Sequence, residues 1–294
     1  MIDPGRQLVV AVMGPTASGK TALAVELALA VGGELVNADS RQAIAGVQVG
    51  VCKPTAEDLM GVPCHGLDWR QIGEPYSAAL FAHRATEVME EIWSRGKVPI
   101  IVGGTGLYVR CLLSGFDFGR LPPSTAMRSG SAESLWELAP QVAAAVDLRN
   151  PRRVARALEL ARAGRRPAAQ KPQWAAVRLA VQIGREDLRA RIDARSRSLV
   201  AQPLAEEIAR LRGQGVPDRV IGEIAIGYRE GLDWVDGRLS GAEAARAIST
   251  RTWRYARSQL TWLRSEPELS WVRSVTYARQ LVSLRLRQDP VAAP

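Results

Sequence analysis

The first hundred residues alternate short apolar runs with longer stretches in which apolar residues recur every three or four positions. The apolar runs predict buried strands at Leu8–Met13, 35–38 and 98–102. The helical spacing predicts helices over 21–31, which stops at a glycine pair, and over 77–94. Strands that alternate with helices in this way predict right-handed crossovers and a parallel sheet, with ligands at the carboxyl ends of its strands.

Beyond residue 119 the pattern becomes mainly helical. One returning strand is predicted at 177–183, and the pattern gives no element beyond Trp271. Pro151 is well placed at the first position of one of the helices. The helices are predicted over 131–146, 152–163, 185–199, 204–212 and 241–263.

The predicted fold is therefore α/β: a P-loop NTPase-like parallel sheet flanked by helices, with a helical insertion and additional C-terminal helices. We divide the chain into four parts. These are the first part of the P-loop core (1–120), a helical insertion (121–150), the remainder of the core with basic helices (151–273) and a C-terminal tail (274–294).

Composition excludes several classes of protein. The 294 residues are 47% hydrophobic and 23% charged, which is typical of a globular chain. Three cysteines without a C-x-x-C pair exclude a disulfide framework and a zinc ribbon, and two histidines leave little for a histidine-rich metal centre. The longest apolar runs are too short to span a bilayer, and no signal peptide is recognisable. We expect a cytoplasmic protein with no membrane partner.

Charge is distributed unevenly along the chain. Residues 1–120 contain 10 basic and 12 acidic residues, whereas residues 121–294 contain 29 basic and 18 acidic residues, a net charge of +11. A basic excess of this size favours a polyanionic partner such as nucleic acid. The alternative is a genomic preference for arginine, since 35 of the 39 basic residues are arginine.

The segment after the first strand matches the P-loop pattern G-x-x-x-x-G-K-[ST] and opens a helix, which is the context that this pattern requires. Successive backbone N–H groups and the helix N-terminus bind an anion there, the lysine adds a positive charge, and the threonine hydroxyl can hold Mg²⁺. The alternative is a glycine-rich turn without a ligand. The predicted phosphate-binding residues are Gly14, Pro15, Thr16, Ala17, Ser18, Gly19, Lys20 and Thr21.

Two further strand ends are expected beside this loop. Asp39 follows the second strand, where its carboxylate could accept a proton or hold Mg²⁺ through water, although Asp-Ser also caps helices routinely. Gly103-Gly104-Thr105-Gly106 follows the next strand and offers close backbone approach and a hydroxyl to a phosphate. Alone, this glycine pattern indicates no more than a tight turn. Together, the three loops predict one anion site.

These motifs occur in a sequence that closely resembles the tRNA dimethylallyltransferases (tRNA isopentenyltransferases). The matching segments follow the family order over roughly residues 8–264. They are GPTASGKTALA at 14–24, NADSRQ at 37–42, Gly50 with Lys53-Pro54, RGKVPIIVGGTGLY at 95–108, RRVARALE at 152–159, AIGYRE at 225–230 and YARSQLTWLR at 255–264.

The resemblance implies a reaction and a role for each motif. The family transfers a dimethylallyl group from its diphosphate to the exocyclic amine of the adenosine 3′-adjacent to the tRNA anticodon (position 37). Residues 14–21 would bind the diphosphate, with Lys20 and a Mg²⁺ held by Thr21 neutralising the leaving group. Asp39 would act as general base, and Thr105 would hydrogen-bond the departing phosphate. The adenine would be flipped out of its stack and held by Asp39, Ser40, Arg41 and Gln42.

The resemblance also implies that the basic second half grips the anticodon stem-loop through its phosphates. Arg152, Arg153 and Arg156 lie within about one helical turn, as a phosphate-gripping face would, although a solvated helix surface has the same pattern. The insertion at 121–150 is shorter than in relatives. We expect the protein to act as a monomer on tRNA and dimethylallyl diphosphate.

Some positions depart from the family pattern. Members usually read V-Y-R-G-[LM]-D-I-G-T-A-K-P where this chain has the sequence AIAGVQVGVCKP at 43–54, and Cys64, Ile224 and Ser258 differ as well. Three rival functions follow from the residues. The first is a small-molecule kinase that uses ATP at the same P-loop. The second is an enzyme that prenylates free adenine nucleotides, against which the basic second half argues. The third is a catalytically impaired relative that only binds tRNA.

Overall fold

A computed structural model gives the structure of the chain and describes residues 7–114, 116–117, 131–164, 168–169, 174–201 and 203–288. Its centre is a six-stranded sheet in which every neighbouring pair of strands is parallel. The predicted parallel sheet is therefore confirmed. Its strands in spatial order are β3 (Cys64–His65), β2 (Gly33–Asn37), β4 (Val98–Gly103), β1 (Leu8–Met13), β7 (Ala175–Val181) and β8 (Leu269–Val272).

The apolar run of β1 reflects burial on both faces of the sheet. All six of its residues are buried, because alternate side chains meet helices on opposite sides. Val9, Ala11 and Met13 pack with α3 (Ala78–Ser94) and α4 (Gly106–Leu113). Val10 and Val12 pack instead with α1 (Lys20–Val31) and α13 (Val275–Gln288).

Local signals fix the ends of the first helices. α1 ends at Gly32, whose left-handed backbone (φ 68°) lets its N–H bond the carbonyl of Ala28. The Ser77 hydroxyl caps α3 by accepting from the N–H of Leu80 at 3.1 Å. Both helices therefore begin and end within one residue of the predicted bounds.

A small helical cluster follows the glycine-rich loop of β4. It consists of α5 (Ala132–Leu138), α6 (Pro140–Ala145) and α7 (Pro151–Arg162), which share buried Leu135, Ala143 and Leu158. The single helix predicted over 131–146 is wrong, because Pro140 cannot donate the next helical hydrogen bond and starts a new helix instead. The antiparallel pair β5 (Phe116–Asp117) and β6 (Ala168–Ala169) lies in the chain on either side of this cluster.

The C-terminal helices form a second cluster, which packs on the segment after β2. These helices are α8 (Arg185–Ala201), α9 (Leu204–Gly213), α10 (Asp218–Glu223), α11 (Tyr228–Val235) and α12 (Gly241–Arg264), and the short α2 (Ala56–Leu59) lies earlier in the chain. Ile44, Val47 and Val51 of the segment after β2 share one apolar core with helices α9 to α11. The longest helix, α12, begins with a capping box between Ser240 and Glu243 and packs along α8.

The last described stretch of the chain, residues 269–288, belongs to the core of the sheet. β8 adds a sixth parallel strand beside β7, and α13 covers α1 with buried Ala278 and Val282. The sequence pattern gave no element in this stretch. In the part of the chain that is described, no helix is both long enough and apolar enough to cross a bilayer.

Candidate active site

Three strands end side by side at one edge of the sheet, and the loops that follow them build the candidate site. Met13 at the end of β1 pairs with Gly103 at the end of β4, and Asn37 at the end of β2 pairs with Val102. The P-loop, the Asp39 segment and the Gly-Gly-Thr-Gly loop therefore begin within neighbouring strand positions. The structure brings together the three loops that the sequence analysis placed at one site.

The P-loop adopts a strained, glycine-dependent conformation. Gly19 has φ 90° immediately before α1, and Ala17 has φ 64°, which is uncommon for a residue with a side chain. The hydroxyl of Ser18 is buried and has no hydrogen-bond partner among the described residues. A buried polar atom without a partner is costly, so this hydroxyl indicates a loop shaped to meet a polar ligand.

Lys20 and Asp39 line the same small pocket. Desolvation lowers the pKa of Lys20 below its usual 10.5, while the nearby charge of Asp39 raises it and that of Arg195 lowers it. The pocket thus combines a partly buried cation with a carboxylate at the end of a parallel sheet. Its lining residues are Lys20, Thr21, Asn37, Asp39, Gln42, Pro54, Cys64, Val102 and Gly103.

The backbone around Asp39 is held by Asn37, which is buried. The side-chain oxygen of Asn37 accepts the N–H of Asp39 at 3.2 Å, and its amide nitrogen donates to the carbonyls of Asp39 and Gly66. One oxygen of the Asp39 carboxylate accepts the N–H of Arg41 at 2.9 Å. No cationic side chain of the described residues lies within ion-pair distance of Asp39. The carboxylate is therefore fixed in direction and remains available as a proton acceptor.

Thr105 connects two of the loops. It occupies the N-cap position of α4, and its hydroxyl accepts the N–H of Ser40 at 3.3 Å. Desolvation and the charge of Asp39 raise the pKa of Tyr255 to about 12, whereas Arg41 and a hydrogen bond with Thr105 lower it. The phenol of Tyr255 is therefore neutral and lies beside Thr105. The residue is 40% exposed to solvent.

The side chains of Arg41 and Gln42 contact the C-terminal helices and the segment before α2. The guanidinium of Arg41 donates to the carbonyl oxygens of Ile224 at 2.7 Å and Glu223 at 3.1 Å. The amide of Gln42 donates to the carbonyl of Cys52 at 2.8 Å. These contacts link the Asp39 segment to the end of α10 and to the segment before α2.

Sequence reasoning missed three side chains that contact the P-loop from the C-terminal helices. Gln259 of α12 is buried and accepts the N–H of Thr16 at 2.8 Å. From α8, Arg191 donates to the carbonyl of Ser18 at 3.2 Å, and Arg195 approaches the Thr16 hydroxyl at 3.4 Å. Gln259 lies in a segment quoted for the resemblance, and the two arginines share the i, i+4 spacing of one helix face. Only the folded chain shows that both features face the P-loop.

The three arginines predicted to grip tRNA lie on α7. Arg153 is exposed, and Arg156 is half-buried and pairs with Glu159 at 2.6 Å. The side chain of Arg152 lies outside the described part of the structure, as do residues 121–130 of the insertion.

The candidate site offers oxygen atoms as ligands for a metal ion. In the described residues, no group of three His, Cys, Asp or Glu side chains is arranged as a metal cluster. The hydroxyl of Thr21 and the carboxylate of Asp39 line the pocket and are donors of the kind that Mg²⁺ prefers. The donor set therefore fits a hard cation that takes its other ligands from phosphate and water.

Comparisons with known proteins show the family of the chain. A tRNA dimethylallyltransferase from Thermomicrobium roseum is 41% identical over 272 residues, which cover 87% of this chain and 83% of that protein. The structure of the full-length tRNA isopentenylpyrophosphate transferase from Bacillus halodurans superposes with a TM-score of 0.73 and 32% identity, covering 96% of this chain and 97% of that one. A eukaryotic dimethylallyltransferase acting on tRNA shares the fold, with a TM-score of 0.77 at 22% identity and coverage of 98% and 81%. The sequence model of the family described as IPP transferase matches residues 42–266, and the chain belongs to this family.

Proposed function

We propose that the protein transfers a dimethylallyl group from dimethylallyl diphosphate to the exocyclic amine of the adenosine 3′-adjacent to the tRNA anticodon, and releases diphosphate. The observation that carries the proposal is the shared pocket of Lys20 and Asp39 beside the P-loop. An anion site and a candidate proton acceptor within one pocket match a transfer in which a diphosphate leaves and an amine loses a proton.

The P-loop would hold the diphosphate of the small substrate. Its backbone N–H groups and the N-terminus of α1 supply partial positive charge, and Lys20 supplies a full one. The buried Ser18 hydroxyl lacks a partner among the described residues, so a phosphate oxygen would satisfy it. Arg195 extends the positive charge to the rim of the loop. Fixed charges of this kind stabilise a leaving anion as its negative charge develops.

Mg²⁺ fits the same proposal as the divalent ion of the reaction. The Thr21 hydroxyl would hold it together with phosphate oxygens and water, and the ion would supply further neutralisation of the leaving diphosphate. Asp39 lines the same pocket and would contact the ion through water.

Asp39 would act on the amine. As the exocyclic nitrogen of adenosine bonds to the first carbon of the dimethylallyl group, the bond from that carbon to the diphosphate oxygen breaks, and its electron pair leaves with the diphosphate. The carboxylate of Asp39 takes the proton that the nitrogen loses. Thr105 would hydrogen-bond the departing phosphate from the facing loop, and Ser40, Arg41 and Gln42 would hold the adenine.

The tRNA would lie against the basic second half of the chain. The helical insertion (121–150) and Arg152, Arg153 and Arg156 of α7 would grip the anticodon stem-loop through its phosphates. Because a stacked adenine cannot enter a pocket at the edge of a sheet, the nucleotide must be flipped out of its stack.

Nucleoside mass analysis tests the proposal. Unmodified tRNA is incubated with the protein, dimethylallyl diphosphate and Mg²⁺, and the adenosine beside the anticodon is expected to gain the mass of one dimethylallyl group. A tRNA that binds without gaining mass would identify a binding protein that has lost catalysis. ATP consumption without tRNA would identify a small-molecule kinase instead.

A further inference from the structure

One face of α12 contacts the loops of the candidate site. Tyr255, Gln259 and Trp262 follow one another at i, i+4 and i+7, which places them on the same side of the helix. Tyr255 meets Thr105, and Gln259 meets both the P-loop and the loop after β4. The Trp262 ring lies against the backbone of Gly106. We call these three residues the α12 brace.

Gln259 uses both ends of its amide. Its oxygen accepts the N–H of Thr16 at 2.8 Å, while its nitrogen donates to the carbonyl of Gly104 at 2.9 Å. A backbone N–H can only donate and a carbonyl can only accept, so the amide has one satisfactory orientation. The side chain is buried, with 5% of the residue exposed, so the loss of either hydrogen bond would leave a buried polar group without a partner. Beyond the pairing of β1 with β4, this one side chain ties the P-loop to the loop after β4.

The glycines of the loop after β4 are adapted to this contact. A Cβ atom on Gly104 would overlap the amide nitrogen of Gln259, and one on Gly106 would overlap the Trp262 ring. A side chain at either position would therefore displace its neighbour on α12. Thr105 lies between these two positions, and its hydroxyl reaches the N–H of Ser40 on the Asp39 segment. The close approach of α12 therefore also sets the position of Thr105.

We propose that the α12 brace, with Gln259 at its centre, is a positioning element that holds the P-loop in register with the loops that present Thr105 and Asp39. The inference rests on the proposed function, because it assigns the brace to the alignment of a leaving diphosphate with a proton acceptor. Gln259 acts through Thr16 and Gly104 and is a positioning residue. A displacement of about 1 Å between reacting groups lowers a reaction rate by about a hundredfold. A single side chain that ties two loops of the site together therefore has a large effect on the rate of transfer.

Two variants of Gln259 test the brace. Gln259→Met keeps the length of the side chain and removes both hydrogen bonds, so kcat/KM for dimethylallyl diphosphate is expected to fall about 10- to 100-fold. Gln259→Glu keeps the acceptor for Thr16 but turns a second acceptor towards the carbonyl of Gly104. When this carboxyl is protonated, it can again donate to Gly104. The ratio of variant to wild-type activity should therefore rise as the pH falls, whereas the ratio for Gln259→Met stays constant.

Measuring wild type, Gln259→Glu and Gln259→Met side by side separates the titration of the new carboxyl from the titration of neighbouring groups. The charged and titratable groups that surround the P-loop are the same in wild type, Gln259→Glu and Gln259→Met, so a pH dependence that appears only in Gln259→Glu comes from the new carboxyl; these groups are Lys20, Asp39, Tyr255, Arg191 and Arg195. Gln280→Met makes the same chemical change at an exposed position of α13 and is expected to leave kcat/KM unchanged. Affinity for inorganic diphosphate, measured by calorimetry, gives a second readout that needs no turnover, and it should fall in Gln259→Met but not in Gln280→Met.

The outcomes distinguish the inference from the proposed function. A pH-independent ratio for Gln259→Glu, with diphosphate affinity unchanged in Gln259→Met, would overturn the brace even if the wild type transfers the dimethylallyl group. A wild type without transfer activity would overturn the proposed function. In that case the diphosphate affinities would still decide whether Gln259 positions the P-loop.

Discussion

The hydroxyl of Tyr228 donates to the carboxylate of Glu207 at 2.8 Å, and both residues are buried. Glu207 also accepts backbone N–H groups from the segment after β2, namely those of Gln48 at 2.5 Å, Val49 at 3.2 Å and Gly50 at 3.0 Å. Burial raises the pKa of Tyr228, and the negative charge of Glu207 raises it further, so the phenol remains a donor. One carboxylate thus joins α9 and α11 to the segment that leads to Cys52, beside the candidate site.

Tyr228→Phe should therefore destabilise the protein. The variant leaves the Glu207 carboxylate buried without one of its donors, which costs about 1–3 kcal/mol of unfolding free energy. Urea unfolding measures this difference. Tyr277→Phe removes an exposed hydroxyl from α13 and serves as the control, with no expected change. Equal stability of the two variants would show that the Tyr228 hydroxyl contributes nothing.

The role of Asp39 predicts a specific defect in Asp39→Asn. An amide cannot take the proton of the attacking amine, so kcat should fall about 10²- to 10⁴-fold. The tRNA affinity should remain unchanged, because the substitution keeps the size of the side chain and its acceptor for the N–H of Arg41. Single-turnover kinetics and filter binding measure the two quantities. Asp187→Asn, on the exposed first turn of α8, is the control. An Asp39→Asn enzyme with normal kcat would exclude the general-base role.

Arg195 should contribute to the binding of the diphosphate. It lies at the rim of the P-loop and carries no ion pair with a carboxylate of the described residues. Arg195→Ala is expected to weaken inorganic diphosphate binding about 10- to 100-fold, which corresponds to a hydrogen bond with a charged group. Arg195→Lys keeps the charge but loses the planar fork, so its loss should be smaller. Arg197→Ala, on the same helix, provides the matched control, and an equal loss in that variant would contradict a specific role for Arg195.

The exposed Arg153 of α7 predicts how tRNA affinity depends on salt concentration. tRNA affinity should fall steeply as salt increases, because each neutralised phosphate releases counterions. Arg153→Ala should reduce the slope of log K against log salt by about 1 if Arg153 contacts a phosphate. Arg279→Ala removes the same charge from the exposed surface of α13 and should leave the slope unchanged. The same slope change in both variants would reveal a general charge effect in place of a tRNA contact on α7.

The sequence predicted correctly those elements whose pattern of apolar residues or glycines has only one physical explanation. The uninterrupted apolar run of β1 indicates burial on both faces. The P-loop that follows needs glycine twice, because Gly19 has a positive φ and a side chain at Gly14 would press on the Ser18 hydroxyl. The convergence of Asp39 and Thr105 also followed, since parallel strands end at one edge of the sheet.

Other features depend on distant parts of the chain and have no local pattern. Val275–Gln288 has scattered apolar residues among arginines, and it is a core helix only because α1 offers an apolar surface to Ala278 and Val282. Gln259 is 243 residues away from Thr16 in the sequence. A polar residue on a long helix is ordinarily solvated, and only tertiary packing turns this one towards two loops.

A buried carboxylate at the opposite end of β2 predicts acid sensitivity. Desolvation raises the pKa of Glu34, but hydrogen bonds from Arg95, His65 and Lys97 outweigh it and hold the pKa at about 2, below the usual 4.5. Because the pKa is depressed in the folded state, the stabilisation is complete above about pH 4.5 and is lost as the pH falls towards 2.

Glu34→Gln should therefore be less stable than wild type near neutral pH, and the difference should shrink in acid. After allowance for screening of its half-exposed partners, the difference amounts to about 1–3 kcal/mol. Urea unfolding from neutral pH down to the acid range measures it, with Glu90→Gln on the exposed side of α3 as the control. A difference that stays constant across this range would mean that packing of the side chain, and not its charge, stabilises the end of β2.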